Sequence, residues 1–360
     1  MKALWVWAAI SLIAIGCREQ TAKPLSPTPT APPEARQLVV PAKGAYTGAY
    51  IDFGESEDKV TLEKIEAFER AVGKHQAIVA FSSFWGEESF PMHNLEIIVR
   101  HKAVPLVYWS PWDKPYQQYQ GPDRFSLHAI VAGKWDGYID QWAAQAKSFG
   151  RPMLVAWGLE MNGAWFPWSG FFYRTKKGSS GSADGAPELF KTAYRRVVDR
   201  VRAAGANNIL WVFHINNYSH PTEEWNAAKK YYPGDAYVDW LAMSAYGKQF
   251  PKDPWITATE TMVDAYEDLC SLNPTKPVML AEWGVGEFPN SGNKASWIAE
   301  AFELMGTRFP RLKAAIYWNE RWQNEDDTHS NLRVTSSPQA LEAYRNGVAD
   351  SFWLDQPSFR

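Results

Sequence analysis

Beyond residue 42 the chain alternates between two patterns. Apolar runs of four to six residues, Tyr46–Ile51, Ala77–Ser82, Pro105–Trp109, Met153–Gly158, Ile209–His214, Trp240–Ser244, Val278–Ala281 and Ala314–Trp318, read as buried strands. Between them lie stretches with helical spacing of apolar positions: Leu62–Val72, Asn94–His101, Trp135–Phe149, Glu188–Ala204, Thr257–Leu272, Lys294–Phe309 and Pro338–Gly347. The piece between the fifth and sixth strands, Glu223–Tyr232, is short enough to be a reduced helix. Strand–helix alternation sets successive strands parallel, and eight such units predict an α/β fold, a single closed (β/α)8 TIM barrel. An open doubly wound sheet would carry a glycine-rich phosphate turn after its first strand. The residues there, Tyr50-Ile51-Asp52-Phe53-Gly54, form no such turn.

The first seventeen residues have a different pattern. Met1-Lys2 is a short basic start, and Ala3–Ile15 is apolar or small except at Ser11. This is the length of a signal-peptide core and too short to cross a bilayer as a helix. The run ends Ala14-Ile15-Gly16-Cys17, which resembles a bacterial lipobox, with Ala14 where Leu is usual. Lipidation of Cys17 is therefore expected, with the protein anchored to a membrane of the bacterial cell envelope. Residues 18–42 contain six prolines and little apolar content before Leu38, the composition of an extended linker. The expected organisation is a lipoprotein signal at 1–17, a Pro-rich disordered linker at 18–42 and one barrel domain at 43–355. With Cys17 acylated, Cys270 has no partner for an intrachain disulfide and reads as a small apolar residue on a helix.

Composition narrows the function. The chain of 360 residues is 46% apolar, enough for a substantial core. Net charge is −3 and no Lys/Arg run exceeds two residues, so a nucleic-acid partner is not expected. Nineteen tryptophans are more than a core needs, and indole faces suit the C–H faces of sugar rings. The seven histidines show no ligand spacing of the H-E-x-x-H kind, so no metal is expected.

In a barrel, catalytic groups stand at the C-terminal ends of the strands. There this chain places Trp109 at the end of strand three, then Glu160, Asn162, Trp165 and Trp168 after strand four. His214 ends strand five, Tyr246 and Glu282 follow strands six and seven, and Trp318 ends strand eight. Aromatic, amide and acidic side chains on one face make a carbohydrate cleft, with Glu160 and Glu282 able to face each other across it. Glycoside hydrolysis needs such a pair. One carboxyl protonates the leaving oxygen while the other attacks or stabilises the anomeric carbon, and their separation decides between retention and inversion.

Several motifs in order resemble glycoside hydrolase family 26. They are Gly44-Ala45-Tyr46-Thr47-Gly48, then Glu160-Met161-Asn162-Gly163 with Trp165, Tyr232-Pro233-Gly234-Asp235-Ala236-Tyr237-Val238-Asp239-Trp240, Ser244-Ala245-Tyr246, and Lys276 through Gly284 with Glu282-Trp283-Gly284 at its end. The resemblance covers nearly all of residues 44–345. It implies a retaining (β/α)8 enzyme needing no cofactor, usually an endo-β-1,4-mannanase, with some members acting on mixed-linkage β-glucan or β-1,3-xylan. By the same resemblance Glu160 is the general acid/base and Glu282 the nucleophile. Trp165 is the aromatic beside the cleavage point, and Tyr246 hydrogen-bonds the nucleophile. The chain departs from the family where His usually precedes the acid/base, which is Leu159 here, and where Arg is common three residues earlier, which is Ala156. Both changes bear on sugar specificity, and His214 offers a polar group from the next strand.

The expected protein is thus a monomeric, membrane-tethered, retaining endo-glycosidase on a β-linked polysaccharide, mannan-type by family default. Three other readings share its features: a hydrolase or transglycosylase on another β-glycan, such as β-glucan, β-xylan or an exopolysaccharide, and a non-catalytic polysaccharide-binding barrel. The last would keep the tryptophans but has no need of both glutamates.

Overall fold

The computed structural model describes residues 37–116, 121–174, 185–324 and 326–360. Cys17, its signal segment and most of the expected linker lie outside these residues. The parallel strands β1 (Ala45–Tyr50), β2 (Ile78–Phe84), β3 (Val104–Ser110), β4 (Met153–Trp157), β5 (Ile209–Asn216), β6 (Trp240–Tyr246), β7 (Val278–Gly284) and β8 (Leu312–Trp318) pair in sequence order. The ring closes between β1 and β8, from Tyr46 opposite Ala314 to Tyr50 opposite Trp318. This is the expected (β/α)8 barrel.

Helices α1 (Leu62–Val72), α2 (Met92–Arg100), α3 (Leu127–Val131), α4 (Asp136–Phe149), α5 (Gly185–Ala203), α6 (Ala258–Leu272), α7 (Lys294–Thr307) and α8 (Pro338–Val348) surround the strands. Their starts follow local chemistry. Thr257 and Glu260 form a reciprocal capping box on α6, and Ser337 caps α8 with Pro338 in its first turn. The short α3 carries too few residues for its period to stand out in the sequence. Between β5 and β6 only 3₁₀ turns form, at Glu224–Asn226, Ala228–Tyr231 and Asp235–Tyr237. Pro233 lacks an amide donor and Gly234 sits at φ +105°, so a continuous helix cannot pass through them.

Three short strands lie outside the ring. β9 (Arg321–Gln323) and β10 (His329–Asn331) pair antiparallel directly after β8, and β11 (Trp353–Leu354) runs beside the start of β1. Leu38 is buried and bridges to Phe359, and the Tyr46 hydroxyl donates to the Val39 carbonyl at 2.8 Å. The folded domain therefore takes in residues from 37 onward, earlier than the expected boundary at 43. Cys270 is half-buried on α6 and free, more exposed than its apolar reading implied.

Several tryptophans fill the layer between strands and helices. Trp85, Trp109, Trp142, Trp157, Trp168, Trp211, Trp240 and Trp283 are all fully buried. Trp109 stacks on Trp142 of α4 with ring centroids 4.0 Å apart, and Trp283 packs against Trp297, Phe302 and Tyr344 of α7 and α8. Each indole buries on the order of 200 Å² of surface, so this layer contributes much of the hydrophobic stabilisation.

At the opposite end of the barrel, Glu69 of α1 joins two imidazoles. Its carboxylate lies 2.9 Å from His75 Nδ1 and 2.9 Å from His101 Nε2. The hydrogen bonds from the imidazoles hold Glu69 below the ordinary carboxylate value against the opposing effect of its own burial, and the Glu69 hydrogen bond and charge hold His75 above the ordinary histidine value. The Glu69 contribution is present above about pH 4.5 and is lost as pH falls through its depressed value. The His75 contribution is present below about pH 6.5 and is lost as pH rises through its raised value. Glu69→Gln is expected to destabilise the fold by about 1–2 kcal/mol near pH 5.5 and by less at pH 8.5, read from denaturant unfolding at the two pH values. An equal loss at both would show that the charge of this triad does not contribute.

Candidate active site

The C-terminal mouth of the barrel opens into a cleft of about 1670 Å³. Glu160 and Glu282 both line it, each with only a small part of its surface exposed. Glu160 follows β4 with its backbone in the left-handed region at φ +52°, a conformation that costs a non-glycine residue about 1–2 kcal/mol. Its amide donates to the His214 carbonyl at 2.8 Å, and its own carbonyl accepts from Gly163 at 2.9 Å. These bonds form a tight turn that brings Trp165 back over the acid. The Trp165 indole Nε1–H donates to Glu160 Oε2 at 2.7 Å. Gly163 makes that possible, because a Cβ there would lie 2.5 Å from the Trp165 ring.

Glu282 reaches the mouth through an irregularity. On the β6 side Met243 pairs with Leu280, but the next pair is Ser244 with Glu282. On the β8 side Leu280 pairs with Ala315 and Trp283 with Tyr317. Strand β7 thus carries one extra residue at Ala281–Glu282, a bulge of the kind that re-aims side chains beside active sites. The Tyr108 hydroxyl donates to the Ala281 carbonyl at 2.7 Å, and the Tyr246 hydroxyl donates to Glu282 Oε2 at 2.7 Å.

Burial holds both carboxyls above the ordinary range, and the charge of Glu160 pushes Glu282 further up. The pair therefore retains a proton well above the pH at which a free carboxyl loses it. Ser244 stands opposite Glu282 in the β6–β7 register, and its hydroxyl offsets part of this rise at both carboxyls, as Trp165 does at Glu160 and Tyr246 at Glu282.

Of the six further acids that line the cleft, Glu57 and Glu320 accept hydrogen bonds from side chains that also line it, and neither carried a motif. Glu57, in the loop after β1, accepts from Ser82 Oγ and from the Tyr116 hydroxyl, each at 2.6 Å. Glu320, just after β8, accepts from Trp318 Nε1 at 2.8 Å. Burial and the charge of Glu57 push Glu320 up to about 8. Glu320 could have been found by its place directly after a strand. Glu57 could not, because six residues separate it from the end of β1.

The other proposed sugar contacts divide. Trp165, Tyr246 and Trp318 line the cleft, and Trp318 stacks on Tyr50 with centroids 3.9 Å apart. Trp109 does not reach it: the ring points outward to α4, and its Nε1–H donates to the Tyr138 hydroxyl at 3.2 Å. Trp168 is buried behind the turn, stacked on Phe166 and donating to the Leu159 carbonyl at 2.6 Å. Asn162 is buried and exchanges two hydrogen bonds with the backbone of Asn216, both at 2.9 Å, tying the β4 turn to the end of β5. His214 lies beneath the cleft floor with Nε2 2.7 Å from Ser244 Oγ, so it replaces no sugar-facing group. Leu159, by contrast, does line the cleft.

A (β/α)8 barrel whose mouth holds two buried, mutually coupled carboxyls in an open aromatic cleft defines the class of glycoside hydrolase barrels. Residues 53–328 match the model described as glycosyl hydrolase family 26, and the chain belongs to that family. It is 29% identical over 311 residues to endoglucanase H of Acetivibrio thermocellus, covering 85% of this chain and 30% of that protein. It is 25% identical over 243 residues to a mannan endo-1,4-β-mannosidase of Bacillus subtilis, covering 67% of this chain and 58% of that one. The chain thus spans less than two thirds of these relatives. Among solved structures, a modular endo-β-1,4-mannanase from Cellulomonas fimi superposes with a TM-score of 0.63 at 18% identity, covering 88% of this chain and 72% of that one. The mannanase BCman of Bacillus subtilis does so at 0.61 and 18% identity, covering 87% of each chain.

Proposed function

We propose that this chain is a retaining, endo-acting glycoside hydrolase that cleaves a β-linked polysaccharide of mannan type, with Glu160 as acid/base and Glu282 as nucleophile. The observation that carries this is the coupled pair. The pair retains one proton, which in this reading passes from Glu160 to the leaving oxygen while ionised Glu282 attacks the anomeric carbon, and water then releases the glycosyl-enzyme with Glu160 acting as base. One hydroxyl, on Ser244, lowers both carboxyls, which suits the shorter separation, roughly 5 Å, of retaining enzymes. Tyr246 orients the nucleophile, and Trp165 and Trp318 offer indole surface to the sugars. The cleft runs on past the pair to Phe250 and Trp322, which suits an enzyme acting within a long chain. The reaction asks for no cofactor.

A second reading places the substrate among the β-glucans. Leu159 favours it, because an apolar side chain stands in the cleft where the family usually presents imidazole nitrogens to the sugar. The likeness to an endoglucanase over most of this chain supports the same choice. We further propose that Cys17 is acylated and that the polar linker holds the barrel off an envelope membrane as a monomer.

Glu282→Ala is expected to lower turnover by at least about 10⁴-fold with the fold intact. Glu160→Ala should lose about 10²–10⁴-fold on polysaccharide but far less on aryl glycosides with good leaving groups, which need little protonation. Azide should restore turnover of that variant and yield a β-glycosyl azide. An α-azide, or equal losses on both substrates, would reassign the roles.

Leu159 makes a separate prediction about the sugar. Plain β-1,4-mannan should be turned over poorly beside another β-linked or decorated glycan, and Leu159→His should raise kcat/KM on mannan by about 5–150-fold, the worth of one regained hydrogen bond in the transition state. The measurement is kcat/KM of both proteins on a polysaccharide panel with product sizing. Wild-type turnover of plain mannan at about 10 s⁻¹ or more would make Leu159 a neutral replacement.

Cys17→Ser is expected to move the protein from the membrane fraction to the soluble one and to abolish fatty-acid labelling, since acyl chains contribute about 0.8 kcal/mol per buried CH₂ and the linker is polar. Membrane association unchanged in that variant would point to another anchor.

A further inference from the structure

Ser244 and His214 are both closed off from solvent, with exposures of 0% and 1%. Neither can satisfy its polar atoms with bulk water. Their contact, Nε2 to Oγ at 2.7 Å, runs from β5 to β6 beneath the cleft floor. The other ring nitrogen of His214, Nδ1, is buried and meets no partner. Burial also holds the imidazole neutral, pulling its pKa down to about 3.

A neutral imidazole carries one N–H. Placing it on Nδ1 would leave a donor orphaned in the interior, which native proteins almost never tolerate, whereas a bare lone pair is the lesser cost. The proton therefore belongs on Nε2, which donates to Ser244 Oγ. That bond uses an oxygen lone pair and leaves the serine hydrogen to be directed elsewhere. Glu282 stands opposite Ser244 in the β6–β7 register, and this hydroxyl lowers both Glu282 and Glu160.

We propose that His214 and Ser244 form a fixed donor chain in which the imidazole orients the serine hydroxyl toward Glu160 and Glu282. Both are positioning residues: neither lines the cleft, and His214 acts only through Ser244. The chain matters because the groups felt by the pair are otherwise acidic. Glu57 follows β1, Tyr108 stands on β3 and Tyr246 on β6. Against this crowding the ionised state is supported by Trp165 at Glu160, Tyr246 at Glu282 and Ser244 at both. Leu159 beside Glu160 supplies none. An imidazole on β5 thus acts on the pair from beneath.

The kinetic arm of the test rests on the glycosidase reading, and the spectroscopic arm does not. In the wild-type protein, ¹⁵N NMR should show His214 as the Nε2–H tautomer, unchanged from about pH 5 to 9. An Nδ1–H tautomer, or a histidine that titrates in that range, would overturn the proposal. Ser244→Ala should move the titration of the glutamate pair, followed by ¹³C NMR, upward by about one pH unit. The acidic limb of kcat/KM should move with it, while kcat falls about tenfold. His214→Leu should shift both readouts in the same direction, and His214→Gln, which keeps an N–H donor, should restore most of the shift. The double variant Ser244→Ala/His214→Leu should shift no further than Ser244→Ala alone. Additive shifts, or an acidic limb that stays in place in Ser244→Ala, would overturn the donor chain. Should Ser244→Ala fail to fold, the wild-type tautomer and the Gln-against-Leu comparison at 214 decide the question. If no glycan is turned over, the carboxyl titration still reads the chain and separates its failure from that of the enzyme assignment.

Discussion

Two carboxyl groups buried together at the mouth of a closed barrel cannot both ionise cheaply, and most features of this site answer to that constraint. Burial raises both, and the charge on Glu160 raises Glu282 further. One proton is therefore retained within the pair well above the ordinary carboxylate range. The neighbouring donors then set how far the rise goes. Trp165 supports Glu160, Tyr246 supports Glu282, and Ser244 serves both. Each donor depends on a local device: the glycine that lets Trp165 fold back, the bulge on β7 and the imidazole beneath Ser244. The barrel matters here because β4, β6 and β7 must hold these groups at fixed spacing while water is largely kept from them.

The surroundings of the pair are more acidic than catalysis alone requires. Glu57 and Glu320 stand on the same side of the mouth, one after β1 and the other after β8, strands that neighbour each other only because the ring closes there. Hydroxyl donors surround Glu57, and the indole of Trp318 reaches Glu320. With Glu320 raised to about 8, its carboxyl is largely protonated at neutral pH and can donate as well as accept. A sugar hydroxyl meeting that group finds a different partner from the one a bare carboxylate would offer.

Aromatic content divides between two duties. The tryptophans on the outer face of the ring seal it to the helices, whereas Trp165 and Trp318 turn toward the cleft. Trp109 and Trp318 both stand at the C-terminal ends of their strands, yet the first meets α4 and the second meets Tyr50. The alternation of side chains along a strand separates the two cases, and it is easily miscounted in an apolar run where every position is buried.

The strand–helix alternation, the eight-fold count and the placing of Glu160 and Glu282 at the C-terminal ends of strands four and seven were all legible in the amino-acid order. Periodicity and motif are local properties, and a parallel ring follows from them by few alternative topologies. The roles of His214, Asn162, Trp109 and Trp168 were not legible, because each depends on which way a side chain turns. Glu57 joined the cleft only through a loop that nothing in its own residues announced. The bulge at Ala281–Glu282 appears only against the register of both neighbouring strands. Sequence alone therefore determined what the barrel is made of and placed Glu160 and Glu282 at its mouth. Only the tertiary structure decided which polar groups face the substrate and which lie beneath it, since that division is set by register and burial across strands far apart in the chain.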